Sequence, residues 1–285
     1  MLIRIPWKVI FSVYSALESE GPFGDLLRQL KAEGVDDDTI LILFTVHEKF
    51  ANPQSFWRPY WDLLPSAVDS GLYFTMKELE ACLREQPLGS EIAMMQQHLR
   101  ETYESTVIPL AEKYPTLVST QVFTWERYVW ARAMFDSRGF HLQLNGRTYN
   151  CLLPVVDCLN NHTIAMLEGS SVLHEPDKDY TVRTLVPLRA GQQVFMNYGA
   201  FSHRELLLYY GYRLAEDELD SMNPYDVYAL DLEVPDEDGA GALRSAIMSR
   251  CGLTTEHYLK VSSSNIILFI FTPSNSLRTF RCAAA

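Results

Sequence analysis

From Gly21 to about Arg138, apolar residues recur every three or four positions, which predicts a succession of amphipathic helices. Capping and turn residues suggest where these helices begin and end. The signals are Gly34, the acidic residues 36–38, Asn52 followed by Pro53, a capping box at 75–78 and a long amphipathic stretch at 90–114. The aromatic, proline-punctuated segment 56–65 lies among them, and its pattern alone predicts a buried corner.

After residue 138 the pattern changes to short runs of β-branched and aromatic residues separated by turn residues. The predicted strands are 149–156, 171–174, 180–185, 193–198 and 227–234, and residues 168–170 are expected to form a turn. A capping box at 202–205 predicts a short helix that ends at Gly211, and another helix is expected from about Ala240. Together these elements predict an α+β fold.

Composition and charge narrow the classes of partner. The chain has 285 residues, which suits one large domain or two modest ones, and its net charge of −12 argues against sequence-independent binding of nucleic acid. The acidity suits either a solubilising surface or a basic protein partner. The apolar run 266–271 is far shorter than the ~20 residues of a membrane span. We therefore expect a soluble cytoplasmic or nuclear protein that contacts neither nucleic acid nor membrane.

Cysteine and histidine spacing gives little support for a metal or disulfide framework. The five cysteines are scattered and none forms a CxxC pair, which argues for a reducing compartment. A metal site built from Cys158, His162 and His174 is a weak alternative, and we predict no metal. Polar residues instead follow two apolar runs, at 157–162 and 197–199, where sites are often built. An Asx-type turn with a satisfied buried tyrosine is the structural alternative.

Four stretches carry a family resemblance, in order. They are 55–65 (Ser-Phe-Trp-Arg-Pro-Tyr onward to Leu-Pro), 123–138 (Phe-Thr-Trp-Glu-Arg-Tyr onward to Ser-Arg), 153–162 (Leu-Pro-Val-Val-Asp onward to Asn-His) and 191–212 (Gly-Gln-Gln-Val-Phe-Met-Asn-Tyr-Gly onward to Tyr-Gly-Tyr). This succession resembles the SET-domain protein methyltransferases, in the subclass related to Rubisco large-subunit lysine methyltransferase and actin-histidine methyltransferase. An accidental resemblance on a helical scaffold is the remaining alternative.

The resemblance implies a SET-domain β-fold with a pseudoknot and a large helical insert, followed by a partial helical substrate-binding domain. Residues 1–20 would be a remnant of the N-terminal SET strands and residues 21–120 the insert. Residues 121–212 would form the C-terminal SET portion, and residues 213–285 the partial substrate-binding domain. The glycine-containing strand pair that precedes the remnant in the family is absent, so the chain resembles a member truncated at both ends.

The resemblance also implies an activity: transfer of a methyl group from S-adenosylmethionine to a lysine side chain of a protein substrate. A histidine acceptor, or a truncated non-catalytic SET protein acting as a binding module, are the alternatives. The expected substrate is a non-histone protein, with a histone as the second choice. The family site maps onto one catalytic and eight cofactor-binding positions. These are Tyr198 for catalysis, and Arg138, Asp157, Asn160, Asn161, His162, Tyr210, Gly211 and Tyr212 for the cofactor.

One residue of this match is ambiguous. In the family two residues separate the aspartate from the Asn-His pair, whereas three follow Asp157 here. We take Asn161 and His162 as the matching pair and keep Asn160 as the alternative for the amide that faces the cofactor.

Overall fold

The computed structural model describes residues 2–83, 87–163, 166–174, 178–214, 223, 225–226, 228–231, 239–250, 256–261, 266–271 and 277–281. The chain divides into two compact units. The first comprises residues 1–199 and 207–212, and the second comprises residues 200–206 and 213–285.

The helices account for most of the first 138 residues. In chain order they are α1 (Val13–Glu18), α2 (Pro22–Ala32), α3 (Asp37–Val46), α4 (Arg58–Trp61), α5 (Met76–Leu83), α6 (Pro87–Lys113), α7 (Trp125–Arg138), α8 (His203–Glu205) and α9 (Gly241–Arg250). Single turns of π-helix extend α3 (His47–Ala51) and α8 (Leu206–Tyr210). Short 3-10 turns lie at Trp7–Val9, Gly71–Tyr73 and Val156–Cys158.

The strands of the first unit are short. They are β1 (Ile3–Ile5), β2 (Phe11–Ser12), β3 (Phe140–Leu144), β4 (Arg147–Leu152), β5 (Asn160–Asn161), β6 (Leu167–Gly169), β7 (Val172–Leu173), β8 (Tyr180–Thr184) and β9 (Phe195–Met196). They form three sheets, with orders β1-β8-β6, β2-β4-β3-β7 and β5-β9. The β5-β9 pair is parallel and pairs Asn161 with Met196, so two distant polar clusters of the sequence become neighbours.

The helix boundaries follow the predicted signals. Gly34 has a φ of +94° just after α2, and the Asp36 side chain accepts a hydrogen bond from Thr39 N at 2.9 Å at the start of α3. Thr75 and Glu78 form the predicted capping box before α5, because Thr75 N donates to Glu78 Oε2 at 2.8 Å. These predictions are confirmed, and the helix predicted at 90–114 begins slightly earlier, at Pro87.

A large apolar core joins the helices to the strands of the first unit. Phe11 of β2 stacks on Phe44 of α3 with ring centroids 4.9 Å apart, and the edge of Trp61 meets Phe11 at 4.8 Å. Tyr60 and Leu64 are also buried, which confirms the predicted corner, although Phe56 and Leu63 of the same segment are exposed.

Several strand predictions need correction. Residues 13–18, inside the predicted strand remnant, form α1, and the strand Phe140–Leu144 was missed. Glu168 and Gly169 belong to a strand rather than a turn, because β8 pairs with them. The strand predicted at 149–156 ends at Leu152, since Pro154 has no N–H to donate and Val155 adopts a φ of +78°.

The second unit contains α9, as predicted from about residue 240, and four strands: β10 (Tyr228–Asp231), β11 (Glu256–Val261), β12 (Ile266–Phe271) and β13 (Leu277–Arg281). These strands form an antiparallel sheet in chain order. The prediction of a helical character is therefore wrong for the described residues after position 255. Apolar runs of five or six residues such as 266–271 are the length of a strand, and each here pairs with its neighbour.

Within the ranges described, no helix is both long enough and apolar enough to cross a bilayer.

Candidate active site

The candidate site is built on a turn that follows β4. Residues 153–162, which we call the Asp157 turn, contain the 3-10 turn Val156–Cys158 and the short strand β5. His162 N donates to Met196 O at 2.9 Å, which continues the pairing of β5 with β9. Val155 is 63% exposed, and its φ of +78° is unfavourable for a β-branched residue. Such strain persists only where the surroundings hold the backbone, and it is common at functional sites.

The carboxylate of Asp157 is buried and bonded to two other elements. Tyr60 of α4 donates its hydroxyl to Asp157 Oδ2 at 2.6 Å, and Arg138 Nη1 donates to the Asp157 carbonyl at 3.1 Å. The same guanidinium lies 3.5 Å from Asp157 Oδ2, and the aspartate side chain has no exposed surface. Burial raises the pKa of Asp157, while Tyr60 and Arg138 act in the opposite direction. This carboxylate therefore faces protein groups and supports the turn from inside.

Arg138 is the last residue of α7, where the sequence predicted a cofactor-binding arginine. Its side chain is 23% exposed, so its guanidinium is only partly withdrawn from solvent. Its Nε is buried and has no hydrogen-bond partner in the described part of the chain. A buried donor without a partner is costly, and a ligand carboxylate would satisfy it. The arginine is thus suited to an anionic group of a bound molecule.

The Asn161 amide connects three segments of the chain. Its Nδ2 donates to Tyr212 Oη at 2.9 Å, and its Oδ1 accepts from Tyr198 N at 3.0 Å. The Tyr198 hydroxyl in turn donates to Leu159 O at 2.7 Å. Since an amide has two N–H groups and two oxygen lone pairs, one of each is left for a ligand.

Three tyrosines form an aromatic wall beside this amide. The rings of Tyr198 and Tyr210 are stacked with centroids 5.1 Å apart, and Tyr212 meets Tyr210 edge-on at 6.3 Å. Burial raises the pKa of Tyr198 to about 12 and also raises the pKa of Tyr210. Both hydroxyls therefore stay protonated near neutral pH, and the wall is uncharged.

Gly211 lets the segment 207–212, which we call the closing segment, approach residues 13–138, which we call the helical part. Its φ is +74°, and a Cβ placed on it would lie 2.1 Å from Asp69 O. No side chain fits there. Leu208 of the same segment is buried against Leu79, Leu88 and Ile92 of the helices.

The remaining predicted residues lie at the edge of this arrangement. The Asn160 side chain is exposed, whereas Asn161 carries the bonds just described. His162 is half-buried with its ring 5.4 Å from Phe195. We call the place where the end of α7, the Asp157 turn, Tyr198 and the closing segment come together the crossing. Eight of the nine predicted residues lie at it, and the side chain of Asn160 lies outside it. Their contacts with a cofactor stay predictions.

Tyr60 is the residue that sequence reasoning missed. The aromatic segment 56–65 predicted a buried corner, and nothing in its pattern indicates a partner 97 positions away. In the described part of the chain, no three His, Cys, Asp or Glu side chains are grouped so that they could hold a metal ion.

Solved structures with the same architecture share this arrangement of elements. The SET domain of LSMT bound to lysine and AdoHcy matches with a TM-score of 0.66 at 18% identity, over 96% of this chain and 57% of that one. Rubisco LSMT bound to AdoMet matches with a TM-score of 0.64 at 17% identity, over the same shares. The chain has a SET-domain fold. The fold class predicted from the resemblance is confirmed.

Sequence relatives of this SET-domain chain agree with the predicted subclass. Actin-histidine N-methyltransferase of Papio anubis is 29% identical over 262 residues, which are 90% of this chain and 41% of that protein. The Mus musculus protein of the same name is 28% identical over 271 residues, 93% of this chain and 43% of that protein. The chain thus spans about two-fifths of the length of these curated relatives. No family model matches the chain.

Proposed function

We propose that this protein is an S-adenosylmethionine-dependent protein methyltransferase. The observation that carries the proposal is the crossing of segments in a SET-domain fold, where Arg138, Asn161 and Tyr198 meet. Solved neighbours of this fold are described as bound to AdoMet or AdoHcy, and the sequence relatives are named as protein methyltransferases.

The residues present fit a zwitterionic cofactor. The unpaired Nε of Arg138 suits a carboxylate, and the spare donor and acceptor of the Asn161 amide suit polar groups of the same molecule. When bound, S-adenosylmethionine supplies a methyl group on a sulfonium centre, which leaves by in-line displacement. The chain then has to bind, align and desolvate the two reactants.

The tyrosine wall suits the acceptor side of that reaction. Tyr198 Oη donates its proton to Leu159 O, so its lone pairs face outward as acceptors for an N–H group of the nucleophile. Removal of an acceptor lysine from water disfavours its ammonium form, so burial against this uncharged wall lowers the pKa of the lysine and helps it to lose its proton. Tyr198 thereby acts as the catalytic residue, which orients a neutral amine or imidazole.

We propose lysine as the acceptor, in a non-histone protein, because the structural neighbours include one bound to lysine. Histidine is the second candidate, since the sequence relatives are named actin-histidine methyltransferases. We also propose that the protein works in the cytoplasm or nucleus, in keeping with the free thiols of Cys151 and Cys158.

The test is methyl transfer from labelled S-adenosylmethionine to actin, Rubisco large subunit and a mixed histone preparation, with mass spectrometry to locate the methylated residue. A methyl-lysine supports the main proposal, and a methyl-histidine replaces it with the second candidate. Absence of both labelling and cofactor binding by calorimetry would favour a non-catalytic binding module.

A pair of asparagine variants tests the site assignment. Asn161→Ala should weaken binding of S-adenosylmethionine at least about tenfold, because two hydrogen bonds across the crossing are lost. Asn160→Ala, at an exposed side chain one position away, should leave the affinity within about twofold. The reverse order of effects would exchange the two roles. If Tyr198→Phe and His162→Ala both leave labelling unchanged, the assignment of this crossing as the active site fails.

A further inference from the structure

The contact between Tyr60 and Asp157 joins the helical part to the candidate site. The hydroxyl–carboxylate distance of 2.6 Å is the shortest contact of this carboxylate, compared with 3.5 Å to Arg138 Nη1 and 3.8 Å to Cys158 Sγ. Both Tyr60 and Asp157 are buried, so water does not compete for the bond. Asp157 therefore depends on Tyr60 for its best-formed hydrogen bond.

Helix α4, which contains Tyr60, is held by a polar network at the end of α3. The π-helical turn His47–Ala51 places Glu48 inside the protein, where Ser55 Oγ donates to Glu48 Oε2 at 2.6 Å. Trp61, the neighbour of Tyr60, donates from Nε1 to Ser55 Oγ at 3.3 Å. Lys49 Nζ donates to Trp61 O at 2.7 Å. Helix α4 is thus tied to the π-helical turn that follows α3, which limits where the tyrosine hydroxyl can lie.

If Asp157 moved, the residues that follow it in the turn and bond the tyrosines of the site would move as well. The carbonyl of Leu159 accepts a hydrogen bond from the Tyr198 hydroxyl, and the side chain of Asn161 bonds Tyr198 N and Tyr212 Oη. The turn starts from the strained backbone of Val155, which keeps that conformation only while its neighbours hold it. A loss of the Tyr60 bond should therefore loosen residues 157–162 before it affects the helices.

We propose that Tyr60 is a positioning residue: it holds the Asp157 turn in the geometry that brings Leu159 and Asn161 to Tyr198. The consequence of this positioning for catalysis rests on the proposed function, whereas the effect of Tyr60 on the structure of the turn does not. The groups that face Asp157 are Tyr60 from α4, Arg138 from α7, the adjoining Cys158, and Tyr198 from the segment after β9.

Hydrogen exchange of the ligand-free protein tests the positioning itself. Tyr60→Phe keeps the ring and removes the hydroxyl, so amides of residues 157–162 should exchange roughly tenfold faster or more. The matched control is Tyr103→Phe, because the Tyr103 hydroxyl donates to Phe123 O at 2.9 Å away from the site. Unchanged exchange at 157–162 in Tyr60→Phe overturns the proposal. An equal rise throughout α2 and α3 also overturns it, since the effect would then be global.

The pH dependence of cofactor affinity should change only if Tyr60 acts through Asp157. It should stay the same if Tyr60 merely stabilises the fold. Because the Tyr60 hydroxyl lowers the pKa of Asp157, its removal makes that carboxyl easier to protonate. In Tyr60→Phe, the acid-side midpoint of S-adenosylmethionine binding should shift to higher pH. An unchanged midpoint would contradict a role through Asp157.

Asp157→Asn provides a second test, which can be used if Tyr60→Phe does not fold. The amide keeps an oxygen that can accept the hydrogen bond from Tyr60, but it does not titrate, so the loss of cofactor affinity at acid pH should disappear. If that loss persists, the proposal is wrong. Tyr60→Phe should also cost less in the Asp157→Asn background than in the wild type, since the two residues act as one unit. If the wild type does not bind S-adenosylmethionine at all, the proposed function fails, and hydrogen exchange alone decides the positioning.

Discussion

The helical part, residues 13–138, and the strand part, residues 140–199, are held together in different ways. Helix α3 buries eight consecutive side chains from Thr39 to Val46, so its position is determined by apolar packing on every side. The strand part is built from strands of two to six residues. Leu144 pairs with the nearby Arg147, but other partners are distant in the sequence, as in Ile3 with Val182. The Asp157 turn and Tyr198 of the candidate site lie in the strand part, whereas Arg138 is the last residue of the helical part.

The short strands of the candidate site need support from other parts of the chain. Strands of two residues such as β5 and β9 bury little, so their geometry depends on side-chain hydrogen bonds and on contacts from the helical part. Tyr60 and Arg138 of the helical part both bond Asp157, and Asp69 contacts Gly211 of the closing segment. We therefore expect the helical part to contribute most of the free energy of unfolding and to hold the Asp157 turn in place.

The largest expected effect is a difference between the two parts in the free energy of unfolding that is lost when a phenylalanine is replaced by alanine. Phe44→Ala should lower the free energy of unfolding by about 3–5 kcal/mol, because Phe44 is fully buried in α3 and stacks on Phe11. Phe195→Ala, at a half-buried ring in β9, should cost about 1 kcal/mol. Urea unfolding of both variants measures the difference. Equal losses would show that the strand part carries as much stability as the helical part.

A smaller effect tests the contact between the parts. Gly211→Ala should cost about 2–4 kcal/mol, since its Cβ would overlap Asp69 O and its φ of +74° is unfavourable for alanine. Gly191→Ala is the control, because its φ of +80° is similar but nothing lies within 4 Å. It should cost about 1 kcal/mol. If the two variants are equally stable by thermal or urea unfolding, the closing segment does not rest on Asp69 in solution.

The smallest effect is a pH dependence that arises in the helical part. Burial lowers the pKa of His47, whose ring stacks on Phe23 with centroids 3.9 Å apart, and Glu48 only partly opposes this shift. The unfolded chain then binds more protons than the folded one as the pH falls below about 6.5, so stability should decrease through that range. His47→Gln should flatten the slope, measured by urea unfolding between about pH 5 and pH 8. A slope that stays the same would assign it to other groups.

Sequence reasoning was accurate where the signal is local. The helix ends at Gly34, the acidic cap at Asp36 and the capping box at Thr75 depend on neighbouring residues, so they could be predicted one segment at a time. The strand Phe140–Leu144 was missed, and residues 168–169 were expected in a turn, because a strand of this kind is stabilised by its partner rather than by its own composition.

The site shows the same division. The resemblance placed the predicted residues in three of the four stretches, and the structure joins these three through the bond of Arg138 to Asp157 and the bonds of Asn161. It favoured Asn161 and kept Asn160 as the alternative, since adjacent strand residues point to opposite faces and only the pairing with β9 determines which face each residue occupies.

The sequence by itself determined the helical part, the family resemblance and the residue types available for chemistry, because these depend on periodicity, caps and ordered motifs. Only the tertiary structure decided that Asp157 points inward to Tyr60, that Asn161 bridges Tyr198 and Tyr212, and that Gly211 must be glycine. Each of these depends on a partner at least 37 positions away in the chain, and no local pattern in the sequence indicates that partner. The physical reason is that hydrogen bonding and close packing act between neighbours in space, whereas a sequence pattern records only neighbours along the chain.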